Sequence, residues 1–82
     1  MLYTEKMLFR QIRATLQSEG YDPRKVTEET RIKHDLDLHE ILICDIADDL
    51  EKKFGVSIPD EELLSAETIG DIVAYAFGYR AA

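Results

Sequence analysis

Three glycines, Gly20, Gly55 and Gly78, each follow a stretch in which apolar residues recur every three or four positions. Apolar residues at that spacing predict an amphipathic helix, and a glycine directly after them indicates where the helix ends. No segment alternates apolar and polar residues over the length of a strand. The pattern therefore predicts an all-α fold in which the three glycines close three main helices.

The first two main helices are predicted over residues 4–19, with Thr4 as the N-cap, and over residues 38–54. An eighteen-residue loop, 21–38, joins them and is expected to carry structure of its own because loops of this length rarely lack it. Within this part of the chain the predicted core residues are Leu8, Phe9, Ile12, Leu16, Val26, Ile32, Leu42, Ile46, Ala47, Leu50 and Phe54.

The remaining helices are predicted after Pro59 and over residues 68–77. Proline followed by three acidic residues favours the start of a short helix, because a first helical turn tolerates proline and attracts negative charge. Gly70 lies inside the last helix, where close approach to another helix would explain a residue of low helix propensity. The core residues predicted here are Leu63, Leu64, Ile69, Ile72, Val73 and Ala76. We expect one domain, 1–82, folded as a small four-helix bundle with a long first loop.

Charge is distributed unevenly along this chain of net charge −7. Residues 1–34 contain 7 basic and 5 acidic residues, whereas residues 35–67 contain 11 acidic and 2 basic residues. The acidic middle argues against nucleic-acid binding, which depends on basic residues that displace counterions from phosphates. It favours a protein partner with a basic patch, although an acidic surface also keeps a small domain soluble and monomeric. We expect a monomer.

Cysteine, histidine and hydropathy patterns exclude several further classes. Cys44 is the single cysteine, so no disulfide can form within the chain. His34 and His39 would need another well-placed ligand to hold a metal ion, and no metal site is predicted. The longest apolar run, 41–44, is too short to span a membrane, and the first residues lack a signal-peptide pattern. A cytoplasmic location is expected.

Four motifs together resemble the acyl carrier proteins. They are Val26-Thr27 after the first helix, Asp35-Leu36 before the second, the segment DLEKKFGVSIPDEE at residues 49–62, and Thr68-Ile69 at the start of the last helix. The resemblance covers essentially the whole chain. It implies the four-helix bundle of that family and a protein that is not an enzyme, and we predict no catalytic residue.

The resemblance also implies where cargo would be attached. Acyl carrier proteins hold their cargo as a thioester on a phosphopantetheine arm, which is linked to the serine of an Asp-Ser-Leu triplet where the second helix begins. Counting back from Phe54 aligns that triplet with His39, Glu40 and Ile41. Glu40 thus stands at the serine position, offers no hydroxyl nucleophile and would repel the incoming diphosphate. No phosphopantetheine cofactor is expected.

Glu40 itself has three interpretations, as an acid stabilised by the helix dipole, as a partner contact or as a catalytic carboxylate. The third is disfavoured because no second acid or nucleophile is arranged with it. The family resemblance implies that partner proteins bind along the second helix. The positions that match this surface are Ile41, Cys44, Asp45, Asp48 and Glu51. Because residues 41–43 are consecutive apolar residues, at least one must point away from the core, and Leu42 is predicted to point inward. Cys44 is expected to be a half-buried, unreactive residue.

Three functional hypotheses remain open. In the first, the protein cannot be loaded and acts as an interaction or regulatory module that docks through its acidic second helix. In the second, it is a genuine acyl or aminoacyl carrier of a fatty-acid, polyketide or related pathway with an unrecognised attachment point. In the third, it is a decayed copy with little function of its own.

Overall fold

The computed structural model describes residues 3–78, which fold as a bundle of helices. These are α1 (Glu5–Ser18), α2 (Glu40–Phe54), α3 (Asp60–Ser65) and α4 (Ile69–Gly78). The predicted all-α fold of three main helices and one short helix is confirmed. No helix within these residues is long and apolar enough to cross a membrane.

The ends of α1 follow directly from local sequence. The hydroxyl of Thr4 caps the helix by accepting a first-turn backbone N–H at 3.2 Å, as predicted. At the other end Gly20 has a φ of 98°, which lets the N–H groups of Gly20 and Tyr21 turn back to the carbonyls of Gln17 and Leu16, both at 3.0 Å. This is the Schellman arrangement that glycine favours, and it ends the helix where the sequence indicates.

Helix α2 begins at Glu40, two residues later than the predicted start at Leu38. The reason is that Leu38 is buried in the core, with its N–H bonded to the carbonyl of Ile32 at 3.1 Å in the first loop. The predicted end is confirmed, because Gly55 follows with a φ of 70° and donates its N–H to Glu51 at 2.9 Å.

One hydrophobic core joins all four helices and the first loop. It consists of Leu8, Ile12, Leu16, Val26, Ile32, Leu38, Ile43, Ile46, Ala47, Leu50, Phe54, Val56, Ile58, Leu63, Ile69, Ile72, Val73 and Ala76. Phe9 is partly buried and packs against it. The prediction that Leu42 points inward was wrong, because Ile43 is 3% exposed whereas Leu42 lies at the margin of the core. At 100° per residue, Ile43 falls at the middle of the arc formed by the other buried residues of α2.

The short helix α3 contributes one leucine to the core instead of the predicted two. Leu63 is buried, whereas Leu64 is 52% exposed. Consecutive residues on a helix point about 100° apart, and α3 packs against the bundle along one side. Leu64 therefore faces outward from α3.

The first loop is ordered by its own anchors, as expected. Val26 and Ile32 are buried in the core, and residues Pro23–Lys25 form a short 3-10 helix. An isolated antiparallel bridge then joins Arg31 to Thr68, directly before α4. The loop is thereby attached to the start of the last helix.

Gly70 approaches this loop and not another helix, which corrects the predicted neighbour. Its N–H donates to the carbonyl of Glu28 at 2.8 Å, and the N–H of Ile69 donates to Thr30 at 3.0 Å. A Cβ atom at position 70 would lie 2.9 Å from the same Glu28 carbonyl oxygen. Glycine is required because a larger side chain would collide with the backbone that accepts the hydrogen bond.

Candidate functional site

Helix α2 begins at the surface with an acidic residue. Glu40 is its first residue and is exposed, and His39 occupies the N-cap position. The side chain of His39 makes no capping hydrogen bond within residues 3–78, although its carbonyl accepts the N–H of Ile43 at 3.1 Å. A carboxylate here is favoured by the helix dipole. Serine, threonine or aspartate at position 39 would cap the helix better than histidine does.

The backbone that leads into α2 is held in a tight turn. Asp37 has a φ of 51°, a left-handed conformation that aspartate tolerates better than most residues. The ammonium of Lys33 donates to the carbonyl of Leu38 at 2.8 Å, and the carboxylate of Asp35 accepts the N–H of Arg31 at 2.8 Å. That hydrogen bond and the Arg31 side chain lower the pKa of Asp35. The turn fixes the direction in which α2 starts.

Four of the five predicted contact residues lie together on one exposed face of α2. Ile41, Cys44, Asp45 and Asp48 follow at spacings of three and four, which places them on the same side of a helix. All four are exposed, and the side chain of Ile41 is 78% exposed. We call these residues the α2 face. It presents one large apolar side chain beside two carboxylates.

The fifth predicted contact residue, Glu51, lies at the margin of this face. It is partly buried, and its carboxylate accepts the N–H of Ile58 at 3.2 Å. That bond holds the segment that returns from the end of α2 towards α3. Glu51 therefore has a structural role in this fold besides any contact with a partner.

Cys44 is exposed, which corrects the expectation of a half-buried side chain. Its pKa is raised, first by partial desolvation and then by the carboxylates of Asp60, Asp48, Glu40 and Asp45. Negative charge from two helices thus surrounds the thiol. A raised pKa disfavours the nucleophilic thiolate, as expected for an unreactive cysteine.

One residue of α3 that the sequence did not assign to the site, Asp60, also borders the α2 face. Asp60 is close enough to Cys44 to raise its pKa. The exposed Leu64 follows one turn later on the same side of α3. The sequence feature that could have indicated an exposed leucine is the adjacent pair Leu63 and Leu64. A six-residue helix that packs along one side can bury only one of two consecutive residues.

Hydroxyl-bearing side chains are absent from a long stretch around the start of α2. From residue 31 to residue 56 the sequence contains no serine, threonine or tyrosine. The nearest such residues are Thr30, which is buried, and Ser57, which lies beyond the far end of α2. Within residues 3–78, no three His, Cys, Asp or Glu side chains are grouped to hold a metal ion.

Comparisons with a family model and with individual proteins all indicate the same family. The family model described as a phosphopantetheine attachment site matches residues 10–76. The acyl carrier protein of Rhodococcus erythropolis is 34% identical over 76 residues, which cover 92% of this chain and 84% of the relative. The acyl carrier protein of Thermotoga maritima is 33% identical over 69 residues, with 83% and 85% covered.

A second group of relatives is more similar over a shorter stretch. The meromycolate extension acyl carrier protein of Mycolicibacterium aurum is 45% identical over 56 residues, or 68% of this chain and 58% of the relative. The matched stretch spans about half the length of these relatives, 49% in that of Mycobacterium bovis. The helical bundle, the matched family model and the relatives of similar length agree, and the chain belongs to the acyl carrier protein family.

Proposed function

We propose that this protein is an acyl-carrier-like interaction module that cannot be loaded with phosphopantetheine and that docks on a basic protein partner through the α2 face. The observation that carries the proposal is Glu40 at the first position of α2, within a stretch of 26 residues, 31–56, that lacks any hydroxyl side chain. The family places its attachment serine at the start of this helix. A shift of register by a few residues would not supply a hydroxyl either.

The chemistry of attachment supports the first half of the proposal. Transfer of phosphopantetheine from coenzyme A requires a hydroxyl oxygen to attack a phosphoanhydride, and the product is a phosphate ester. Glu40 has a carboxylate, which would repel the diphosphate. Cys44 has a thiol whose pKa is raised. The side chains present at this end of α2 therefore do not fit the cofactor.

The α2 face supports the second half. An isoleucine that is 78% exposed beside Asp45 and Asp48 suits a partner that offers an apolar pocket with arginine or lysine at its rim. Because the relatives are named for acyl carriage and meromycolate extension, we infer that the partner belongs to a pathway that builds acyl chains.

Loading is tested by intact mass after incubation with coenzyme A and a phosphopantetheinyl transferase of broad specificity. We expect no change in the mass of the natural protein. We expect Glu40→Ser, and more strongly His39→Asp with Glu40→Ser, to gain one phosphopantetheine, because the scaffold is retained and only the nucleophile is missing. A gain on the natural protein would refute the proposal, and peptide mapping would then locate the modified residue.

Docking is tested by capture of a partner on the immobilised protein. Reversing charge with Asp45→Lys and Asp48→Lys is expected to abolish capture of any protein that the natural chain retains. The matched control reverses two exposed acids away from α2, Glu19→Lys and Glu29→Lys, with the same change of net charge. Equal loss in both double variants would indicate a non-specific charge effect and would contradict docking through the α2 face.

The relatives favour a second candidate, a genuine carrier with an unrecognised attachment residue. All the relatives described above are named as acyl carrier proteins, so loading is the ordinary activity in this family. Ser57 is an exposed hydroxyl that a transferase could reach. Loss of the mass gain in Ser57→Ala, together with a gain on the natural protein, would establish this candidate in place of the first.

A further inference from the structure

A groove lies between α1 and the last turn of α2, away from the α2 face. It has a volume of about 330 Å³ and is lined by Met7, Arg10, Gln11, Ala14, Lys53 and Phe54. We call it the α1–α2 groove. None of its lining residues is acidic, although the chain as a whole carries a net charge of −7.

Neither cation of the groove, Arg10 or Lys53, forms an ion pair with a carboxylate of the described chain. Within residues 3–78, ion pairs occur in the first loop, between Asp22 and Arg24 and among Arg31, His34 and Asp35. The ammonium of Lys53 instead donates to the side-chain carbonyl oxygen of Gln11 at 3.1 Å. A neutral amide holds this lysine in position, and the nearest carboxylate on the same helix, that of Asp49 one turn earlier, is itself bonded to Thr15.

A chain of hydrogen bonds behind the groove holds Gln11 and, through it, Lys53. The Gln11 amide N–H donates to the Thr15 hydroxyl at 3.4 Å, and that hydroxyl can donate to the Asp49 carboxylate at 2.7 Å. Thr15 is buried, so this chain links α1 to α2 beneath the surface. Side chains that are ordered in advance lose less conformational entropy when they bind.

The floor of the groove is apolar. Met7 is 37% exposed, which makes it one of three large hydrophobic residues that are exposed within residues 3–78. The ring of Phe54 lies beside it, with the Lys53 ammonium 6.0 Å from the ring centroid. Methionine is a flexible side chain that adapts to the shape of a bound group.

The groove and the α2 face point in different directions. Lys53 follows Ile41 by twelve positions, which corresponds to roughly 120° around the helix axis and roughly 18 Å along it. Asp45 and Asp48, the acids of the α2 face, precede Lys53 by eight and five positions, which corresponds to roughly 80° and 140° around the helix axis. Their side chains therefore point in different directions from that of Lys53.

We propose that the α1–α2 groove is a second docking site, which binds an acidic segment of a partner protein. Carboxylates of the segment would pair with Arg10 and Lys53, and an apolar side chain would rest on Met7 and Phe54. The charge of the groove, opposite to that of the α2 face, selects this chemistry. A protein with both surfaces can hold a basic partner and an acidic partner at once.

The test uses a synthetic helical peptide with leucines along one side and glutamates beside them, labelled for fluorescence anisotropy at physiological salt. Arg10→Gln with Lys53→Gln is expected to weaken binding about tenfold, because two exposed charge pairs are lost. The matched control is Arg13→Gln with Lys52→Gln, which changes the net charge equally at neighbouring positions outside the groove. Its affinity should change less than twofold.

Resonance shifts in the 15N-labelled protein should map to Met7, Gln11 and Phe54. Replacing the glutamates of the peptide by glutamines should abolish the shifts. Equal weakening in the two double variants, or shifts confined to the α2 face, would overturn the proposal. Binding to anionic phosphatidylglycerol vesicles without binding to the peptide would overturn it as well, since the groove would then recognise a lipid surface.

Discussion

The two helices α2 and α4 begin in opposite ways. At the start of α4 the Thr68 hydroxyl accepts the N–H of Asp71 at 3.1 Å, and the Asp71 carboxylate accepts the N–H groups of Glu67 and Thr68 at 2.9 and 3.1 Å. The N–H groups of Ile69 and Gly70 donate to carbonyls of the first loop. At the start of α2, by contrast, the His39 side chain does not cap the helix within residues 3–78, and Glu40 is exposed.

The start of α4 is therefore bonded to the rest of the protein, whereas the N-cap side chain of α2 makes no such bond among the described residues. The N–H groups of a first helical turn need partners, and α4 obtains them inside the protein. At the start of α2 the N-cap side chain supplies no acceptor within residues 3–78, although capping the helix would stabilise the fold. The start of α2, where Glu40 is exposed, is thus less tied to the rest of the protein than the start of α4.

Among substitutions at the two helix starts, Gly70→Ala is expected to change the free energy of unfolding most. The added Cβ would lie 2.9 Å from the Glu28 carbonyl oxygen, so α4 must shift and its hydrogen bonds to the first loop must weaken. Overpacking of this kind costs about 1–3 kcal/mol, measured as the free energy of unfolding in urea by circular dichroism. Gly78→Ala in the same helix is the control, because within residues 3–78 no atom beyond the adjacent backbone lies within 4 Å of the new Cβ. Equal stability of the two variants would show that α4 can move away from the Glu28 carbonyl without a loss of stability.

A smaller effect is expected from Asp71→Ala, compared with Glu40→Ala. Both are acids in the first turn of a helix, but Asp71 accepts two backbone N–H groups whereas Glu40 has the helix dipole alone to stabilise it within the described chain. We expect a loss of about 1–2 kcal/mol for Asp71→Ala and about 0.5 kcal/mol for Glu40→Ala in the same unfolding assay. Equal losses would mean that the start of α2 is as firmly held as that of α4.

The smallest effect, and one of opposite sign, is expected from His39→Asp. A carboxylate at the N-cap can accept an N–H from the first turn of α2, which His39 does not do, so the free energy of unfolding should rise by about 0.5–1 kcal/mol. The control is His39→Ala, which also removes the imidazole but supplies no acceptor to the first turn. No stabilisation by His39→Asp would show that the first turn of α2 is already satisfied by water.

Much of the fold could be predicted because its signals are local. Gly20 and Gly55 end helices for the reason that the sequence indicates, since both adopt a positive φ that other residues resist. Thr4 caps α1 as expected. The grouping of Ile41, Cys44, Asp45 and Asp48 on one face was likewise predictable, because it depends on the helical repeat and on the register of a single helix.

The features that could not be predicted all depend on contacts between distant segments. Ile43 enters the core in place of Leu42, and Leu63 in place of Leu64, because neighbouring elements decide the rotation of a helix about its axis. The first loop, and not another helix, is the neighbour of Gly70. The α1–α2 groove exists because two helices far apart in sequence bring Arg10 and Lys53 to one depression.

By itself, then, the sequence determined the main helices, both ends of α1, the C-terminal end of α2 and the residue types at the start of α2. These features arise from backbone conformation and from spacing within a few residues, which act before any tertiary contact forms. The tertiary structure alone decided which side of each helix is buried, which helix start is joined to the loop and which is left open. Those choices depend on how well whole surfaces pack, and packing involves residues that the sequence places far apart.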